Sequence, residues 1–270
     1  MSFTQRLQLV QKERNSFLCI GLDVDVEKIP SHLQSLENPA LEFNRQIIEA
    51  THDLVCAYKP NLAFYEAMGE RGITTLRETL KLIPKSVLTI GDGKRGDIGN
   101  TSERYAKSLF DDYGFDSVTV NPFMGFDSIE PFIRNPEKGV FILALTSNAG
   151  SKDFQRLRVG SKPLYEKVVR HAKKWNTEQN IGLVIGAAHS KELQCLRKIV
   201  PDMPILIPGV GKQGGDLKSA IEYGCNKRGE LAVINVSRSI IYASSGKDFA
   251  DAARREAIKM VEEMRRYRGQ

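Results

Sequence analysis

A chain of 270 residues with 41% hydrophobic content can bury a large core, and its length suits either one α/β barrel or two smaller domains. The 39 Lys and Arg exceed the 33 Asp and Glu, giving +6, but they are spread along the chain instead of forming a block, so no nucleic-acid surface is expected. Cys19, Cys56, Cys195 and Cys225 fall in no CxxC or Cys/His ligand pattern, and the longest apolar run, near 140–145, is far too short to span a bilayer; a cytoplasmic protein with no membrane segment is expected.

The chain opens on an amphipathic segment carrying Phe3, Leu7 and Val10. From there short apolar, β-branched runs alternate with longer stretches of helical period. The runs at 17–22, 57–60, 86–90, 117–120, 140–145, 181–185, 205–208 and 232–236 are predicted strands. Helical spacing is predicted at 41–54, 73–82, 101–113, 164–177, 191–199, 217–223 and 249–267. The last of these carries Arg254, Arg255, Lys259, Arg265, Arg266 and Arg268 beside an apolar stripe, which reads as a solvated face. Eight strand-then-helix units without a Pro/Ser-rich linker predict a single α/β domain over 1–270, a (β/α)8 TIM barrel.

Such a barrel carries its active site at the C-terminal ends of its strands, and the polar residues collect there. Strand one ends in Asp23 and Asp25, strand two in Lys59-Pro60-Asn61, strand four in Asn121-Pro122 and strand five in Thr146-Ser147-Asn148. Strand three runs into IGDGKRGDIGNT at 90–101, which packs Asp92, Lys94, Arg95 and Asp97 into six positions. Charges at the end of a core strand must be paired, because an isolated buried charge costs more than the strand's packing returns. If strand geometry continues through Gly93, alternation puts Asp92 and Lys94 on one side and within contact. After strand seven comes the glycine-rich loop 208–215, and after strand eight Ser237-Arg238. Loop amides with a fixed guanidinium at this place suit a phosphate. His189, after Gly186-Ala187-Ala188, faces the rim in principle, but no Ser/His/Asp or Cys/His nucleophile arrangement emerges.

Lys59, Asp92 and Lys94, with Asp97 nearby, form a run of alternating charge at the other end of the cavity. Magnesium could use two of the carboxylates, but a lysine between them competes for the same oxygens, which favours a metal-free array. A lysine held by carboxylates keeps its proton, and that suits it to deliver the proton to a carbanion.

At this point the residues resemble a family, the orotidine 5'-phosphate decarboxylases. The stretch from Asp92 to Ile98 is similar to the DxKxxDI signature, and DGKRGDIGNT resembles the branch called type 2. The likeness continues through LCIGLDVD at 18–25, YKPNLAFYE at 58–66, TSNAGSKDFQ at 146–155, PGVGKQGGD at 208–216 and NVSRSI at 235–240. The resemblance implies a carboxy-lyase that converts orotidine 5'-monophosphate to UMP and CO2 in pyrimidine biosynthesis, with no cofactor and no metal. It implies that Asp23 and Lys59 hold the ribose hydroxyls, that Asp92 sits beside the scissile carboxylate and that Lys94 protonates C6. Ser147 would bind the pyrimidine ring, Gln213 would bridge ring and phosphate, and Arg238 would clamp the phosphate. Asp97, Ile98 and Thr101 would complete the site of a neighbouring subunit, so a homodimer is implied. Gly93 stands where Ala is commoner in the family and Ala149 where Pro is, and Ala188-His189 is unusual. The rival readings are a magnesium-dependent sugar-phosphate decarboxylase or aldolase on the same barrel, and a catalytically silent phosphoribosyl-binding protein.

Overall fold

Short β-branched runs that are apolar on both faces can satisfy their backbone only in a sheet buried on both sides, and here that sheet closes on itself. The computed structural model describes residues 1–211 and 216–268. Its barrel strands are β1 (Leu18–Gly21), β2 (Ala57–Lys59), β3 (Leu88–Arg95), β4 (Ser117–Val120), β5 (Gly139–Leu145), β6 (Ile181–Ile185), β7 (Ile205–Pro208) and β8 (Ala232–Val236). All pairings are parallel and sequential, and β8 returns to β1 with Leu18 opposite Ile234 and Ile20 opposite Val236. The expected (β/α)8 barrel is the fold of the chain. A two-strand ribbon, Arg158–Val159 against Lys162–Pro163, lies outside the barrel after β5.

The helices pack their apolar stripes on the barrel's outer surface. Helix Pro39–Thr51 starts with Asn38, whose side chain accepts the Leu41 N–H at 3.1 Å, and buries Phe43, Ile47 and Ile48. Phe43 stacks on Phe249 of the closing helix Phe249–Arg268, ring centroids 5.1 Å apart. The basic residues of that last helix have local partners: Arg254 pairs with Asp53 at 2.7 Å and Arg265 donates to the Asn15 carbonyl at 3.0 Å.

Several elements differ from the sequence expectation, three of them between β3 and β5. Strand β3 does not stop at 90 but runs to Arg95, so the charged motif is part of the barrel wall. Its pairing with β4 shifts register between Gly91 and Arg95, a bulge that re-aims the strand end. A helix over Phe126–Ile133 joins β4 to β5 where none was predicted, and Pro131 inside it hid the helical period. The segment 101–113 is an α-helix Gly99–Lys107 that ends in a π turn at Ser108–Asp112.

The amphipathic opening is a helix, Phe3–Arg14, that closes the N-terminal mouth of the barrel. Phe3 meets Phe141 edge-on at 5.9 Å, and Phe3, Leu7 and Val10 cluster with Cys19, Leu88, Val184 and Leu206 from the barrel interior. Gln11 fastens the helix: its Nε2 donates to the Ala232 carbonyl at 2.5 Å and its Oε1 accepts the Leu231 N–H at 3.0 Å. With the floor filled, the open end is the rim at the strand C-termini.

Candidate active site

At that rim lies a cavity of about 350 Å³ walled by the ends of all the barrel strands except β6's last residue, with Val184 contributing from β6. Asp92 sits at its base. Strand β3 delivers it there by pairing: the Asp92 N–H donates to the Pro60 carbonyl at 3.0 Å, and Asn61 bridges to Asp92 across the β2 end. Lys59, the last residue of β2, donates to Asp92 Oδ2 at 2.7 Å, while Lys94 donates to Oδ1 at 2.7 Å. The alternation expected of Asp92 and Lys94 therefore holds in its outcome, although the strand is bulged between them and Lys94 has φ of 46°.

Thr119 of β4 is the residue that sequence reasoning missed. Its hydroxyl donates to Asp92 Oδ1 at 2.8 Å and accepts the Lys94 N–H at 2.9 Å, tying the carboxylate to the backbone of the lysine. A lone Thr in a β-branched strand carries no signal of this role, since it is also an ordinary strand former.

Burial makes this array electrostatically strong. Lys59 is 4% exposed and Asp92 8%. Burial alone would push the Asp92 carboxyl up, but Lys59 and Lys94 hold it well below the usual carboxylate range. Burial likewise pulls Lys59 down, and the attraction of Asp92 and Asp23 carries it above the ordinary lysine value. Lys59 and Asp92 are therefore both ionised across the neutral range. Together Lys59, Asp92 and Lys94, two cations on one carboxylate, carry a formal net charge of +1 at the base of the cavity. The Lys94 side chain, 45% exposed, is the cation that faces the open space.

Of the other predicted residues, Asp23, Ser147 and Arg238 also line the cavity. Asp23 Oδ1 is buried and has no hydrogen-bond partner among the described residues. Arg238 opens a four-residue helix, Arg238–Ile241, while Ser237 before it donates to the Gly21 carbonyl at 3.0 Å and so ties the β8 end to β1. Gly209 and Gly211 hold φ of 92° and 85°, the left-handed backbone for which the glycine-rich loop selects its residue type. Gln213 lies outside the described residues.

Asp97, Ile98 and Thr101 are not brought to this cavity within one chain. Asp97 Oδ1 accepts the Ile98 N–H at 2.8 Å, Ile98 is 55% exposed and Thr101 is exposed. His189 does not line the cavity either; its ring bonds the Thr146 carbonyl at 2.9 Å. Among the described residues no three His, Cys, Asp or Glu side chains converge as a metal-binding group.

The comparisons agree with this geometry. Residues 16–255 match the family described as "Orotidine 5'-phosphate decarboxylase / HUMPS family". The chain is 51% identical over 272 residues to the orotidine 5'-phosphate decarboxylase of Dehalococcoides mccartyi, covering 99% of each. It is 49% identical over 264 residues to that of Flavobacterium johnsoniae, covering 97% of this chain and 96% of the relative. Among solved structures, Leishmania donovani OMP decarboxylase superposes with a TM-score of 0.82 at 37% identity, covering 97% of this chain and 99% of that one. Leishmania donovani UMP synthase superposes with a TM-score of 0.89 at 39% identity over 99% of this chain, which spans only 57% of that longer protein. A full-length match at this identity, on a barrel whose rim holds the motif's Asp92 and Lys94 in contact, shows that the chain belongs to the orotidine 5'-phosphate decarboxylase / HUMPS family.

Proposed function

We propose that this carboxy-lyase cleaves the bond between C6 and the carboxylate of orotidine 5'-monophosphate at the Lys59–Asp92–Lys94 end of the cavity, giving UMP and CO2 in pyrimidine synthesis. The observation that carries the reading is one buried carboxylate shared at 2.7 Å by two lysines. When the bond breaks, the electron pair stays on C6 with no conjugated sink to take it. A preorganised net positive array stabilises that charge as it develops, without reorganising at the moment of reaction. Lys94, the exposed member, gives its proton to C6, the Nζ–H bond breaking as the C6–H bond forms, and solvent restores the lysine. Asp92, fixed beside the substrate carboxylate, has like charge to it and favours its departure.

The rest of the rim fits the remainder of the substrate. Asp23 Oδ1 is an unused acceptor beside Lys59, suited to a ribose hydroxyl. Ser147 suits the pyrimidine ring and Arg238 the phosphate. Asp97, Ile98 and Thr101 do not line the cavity of their own chain, and we assign them to the site of a second subunit in a homodimer. Exposed Ile98, Phe123 (79%) and Met124 (53%) support this, because these loop residues leave apolar surface at the same rim for a partner to cover. No described helix is long and apolar enough to cross a membrane, and action in the cytoplasm is part of the same reading.

The test is the fall in ultraviolet absorbance of orotidine 5'-monophosphate with purified protein in EDTA, wild type beside Lys94→Ala. Rapid loss with wild type and a drop of about 10³-fold or more in kcat for Lys94→Ala are expected, the scale of a lost proton donor that is also a lost cation. Turnover that appears only on adding magnesium would sink the reading in favour of the sugar-phosphate enzymes of the same barrel.

A further inference from the structure

His189 plays no part in the chemistry above, yet both of its ring nitrogens are engaged. Nε2 lies 2.9 Å from the Thr146 carbonyl oxygen and Nδ1 3.1 Å from Arg156 Nη2. A carbonyl can only accept and a guanidinium can only donate. The ring in this arrangement therefore carries its proton on Nε2 and receives the Arg156 proton at Nδ1. Arg156 is itself held by Glu192 at 2.8 Å.

What this network grips is the residue before Ser147. The Thr146 N–H donates to Gln155 Oε1 at 2.8 Å, and its hydroxyl accepts from Gln155 Nε2 at 2.9 Å. With His189 on the carbonyl, both backbone groups of Thr146 and its hydroxyl are held by side chains from outside strand β5. Ser147 then enters the cavity wall. The end of β6 also backs it closely: a Cβ on Gly186 would fall 3.0 Å from the Ser147 nitrogen and 3.1 Å from its Cβ, closer than side chains ordinarily approach.

We propose that His189 is a positioning residue for substrate recognition: by holding the Thr146 carbonyl it fixes the Thr146–Ser147 peptide, and so the place at which Ser147 meets the pyrimidine ring. The inference rests on the reading of Ser147 as a ring ligand. A contact made equally with bound substrate and with the transition state changes KM and leaves kcat alone, whereas a staple that serves only folding changes neither once the protein is folded.

The experiment measures KM and kcat for orotidine 5'-monophosphate, with thermal melting, in wild type, Ser147→Ala, His189→Ala, His189→Gln and Arg156→Met. Gln can set an amide N–H where the imidazole Nε2–H stands. Ser147→Ala and His189→Ala are each expected to raise KM about tenfold with kcat changed less than about twofold, the worth of one hydrogen bond, and His189→Gln to bring KM back toward wild type. Arg156→Met, which frees the ring's orientation, is expected to raise KM less than His189→Ala does, and it serves in place of that variant if His189→Ala does not fold. KM unchanged in His189→Ala or Arg156→Met, while Ser147→Ala raises it, overturns the role of His189 and leaves Ser147 as a ring ligand. KM unchanged in Ser147→Ala overturns the reading of Ser147 and this inference with it.

Discussion

Asp92 is the residue on which the site and the stability of the chain meet. Its carboxylate is stabilised by Lys59 and Lys94 at 2.7 Å each and by Thr119 at 2.8 Å, so its folded pKa lies well below the unfolded value of about 3.9. A depressed carboxylate contributes stability that is complete above its unfolded pKa and is lost as pH falls through the folded one. Lys59, raised above its ordinary value, contributes fully below about pH 10. The contribution of the pair is therefore flat across neutral pH and drains below about pH 4. Asp92→Asn leaves Lys59 buried without its partner, which is expected to cost about 3–5 kcal/mol at pH 7. Because protonated Asp92 resembles Asn, that gap narrows below about pH 4; urea unfolding of both proteins across pH checks it, and parallel curves would refute the linkage. The pairing itself was legible in the sequence, since four charges after a core strand demand partners and a two-residue spacing offers one. The positive φ of Lys94 and the Thr119 bridge were not, because the first is a product of the β3–β4 bulge and the second depends on a register no local pattern encodes.

At the scale of elements, the division of labour along each strand separates stability from chemistry. Strand β5 begins at Gly139 on the barrel floor and ends beside Ser147 at the rim. A Cβ on Gly139 would fall 2.4 Å from the Phe3 ring, whose place is set by the helix that closes the floor. Gly139→Ala is accordingly expected to lower the unfolding free energy by about 1–3 kcal/mol through overpacking, with KM and kcat unchanged at the far end of the strand. Urea unfolding and steady-state kinetics on one preparation check both halves, and a changed KM would mean that floor and rim are coupled. Periodicity disclosed all eight strands, because parallel strands buried on both faces leave continuous apolar runs. It did not disclose that Phe3, Leu7 and Val10 form a plug, since an amphipathic stripe says that a face is buried and not what buries it. The helix Phe126–Ile133 escaped for a related reason: Pro131 broke the local pattern while packing of Ile129 and Phe132 kept the helix.

At the scale of the whole molecule, the charged motif is divided between residues that line the cavity of their own chain and residues that lie outside it. Asp92 and Lys94 are on the cavity wall, whereas Asp97, three residues on, lies beyond it with Ile98 exposed beside it. In the twofold dimer proposed above, each chain would keep its own Lys94 and lend its Asp97 to the other. The assignment in trans has a consequence that mutation of one chain alone cannot produce. Homodimers of Lys94→Ala and of Asp97→Ala are each expected to be nearly inactive. In a heterodimer of the two, purified through a different tag on each chain, one site has the Lys94 of the Asp97→Ala chain and the Asp97 of its partner. That site is complete, and the other lacks both groups. The heterodimer is therefore expected to show about half the wild-type kcat per dimer, because one of two equivalent sites is intact. If Asp97 acted within its own chain, every site of the heterodimer would lack one group, and steady-state turnover would stay at the level of the parents.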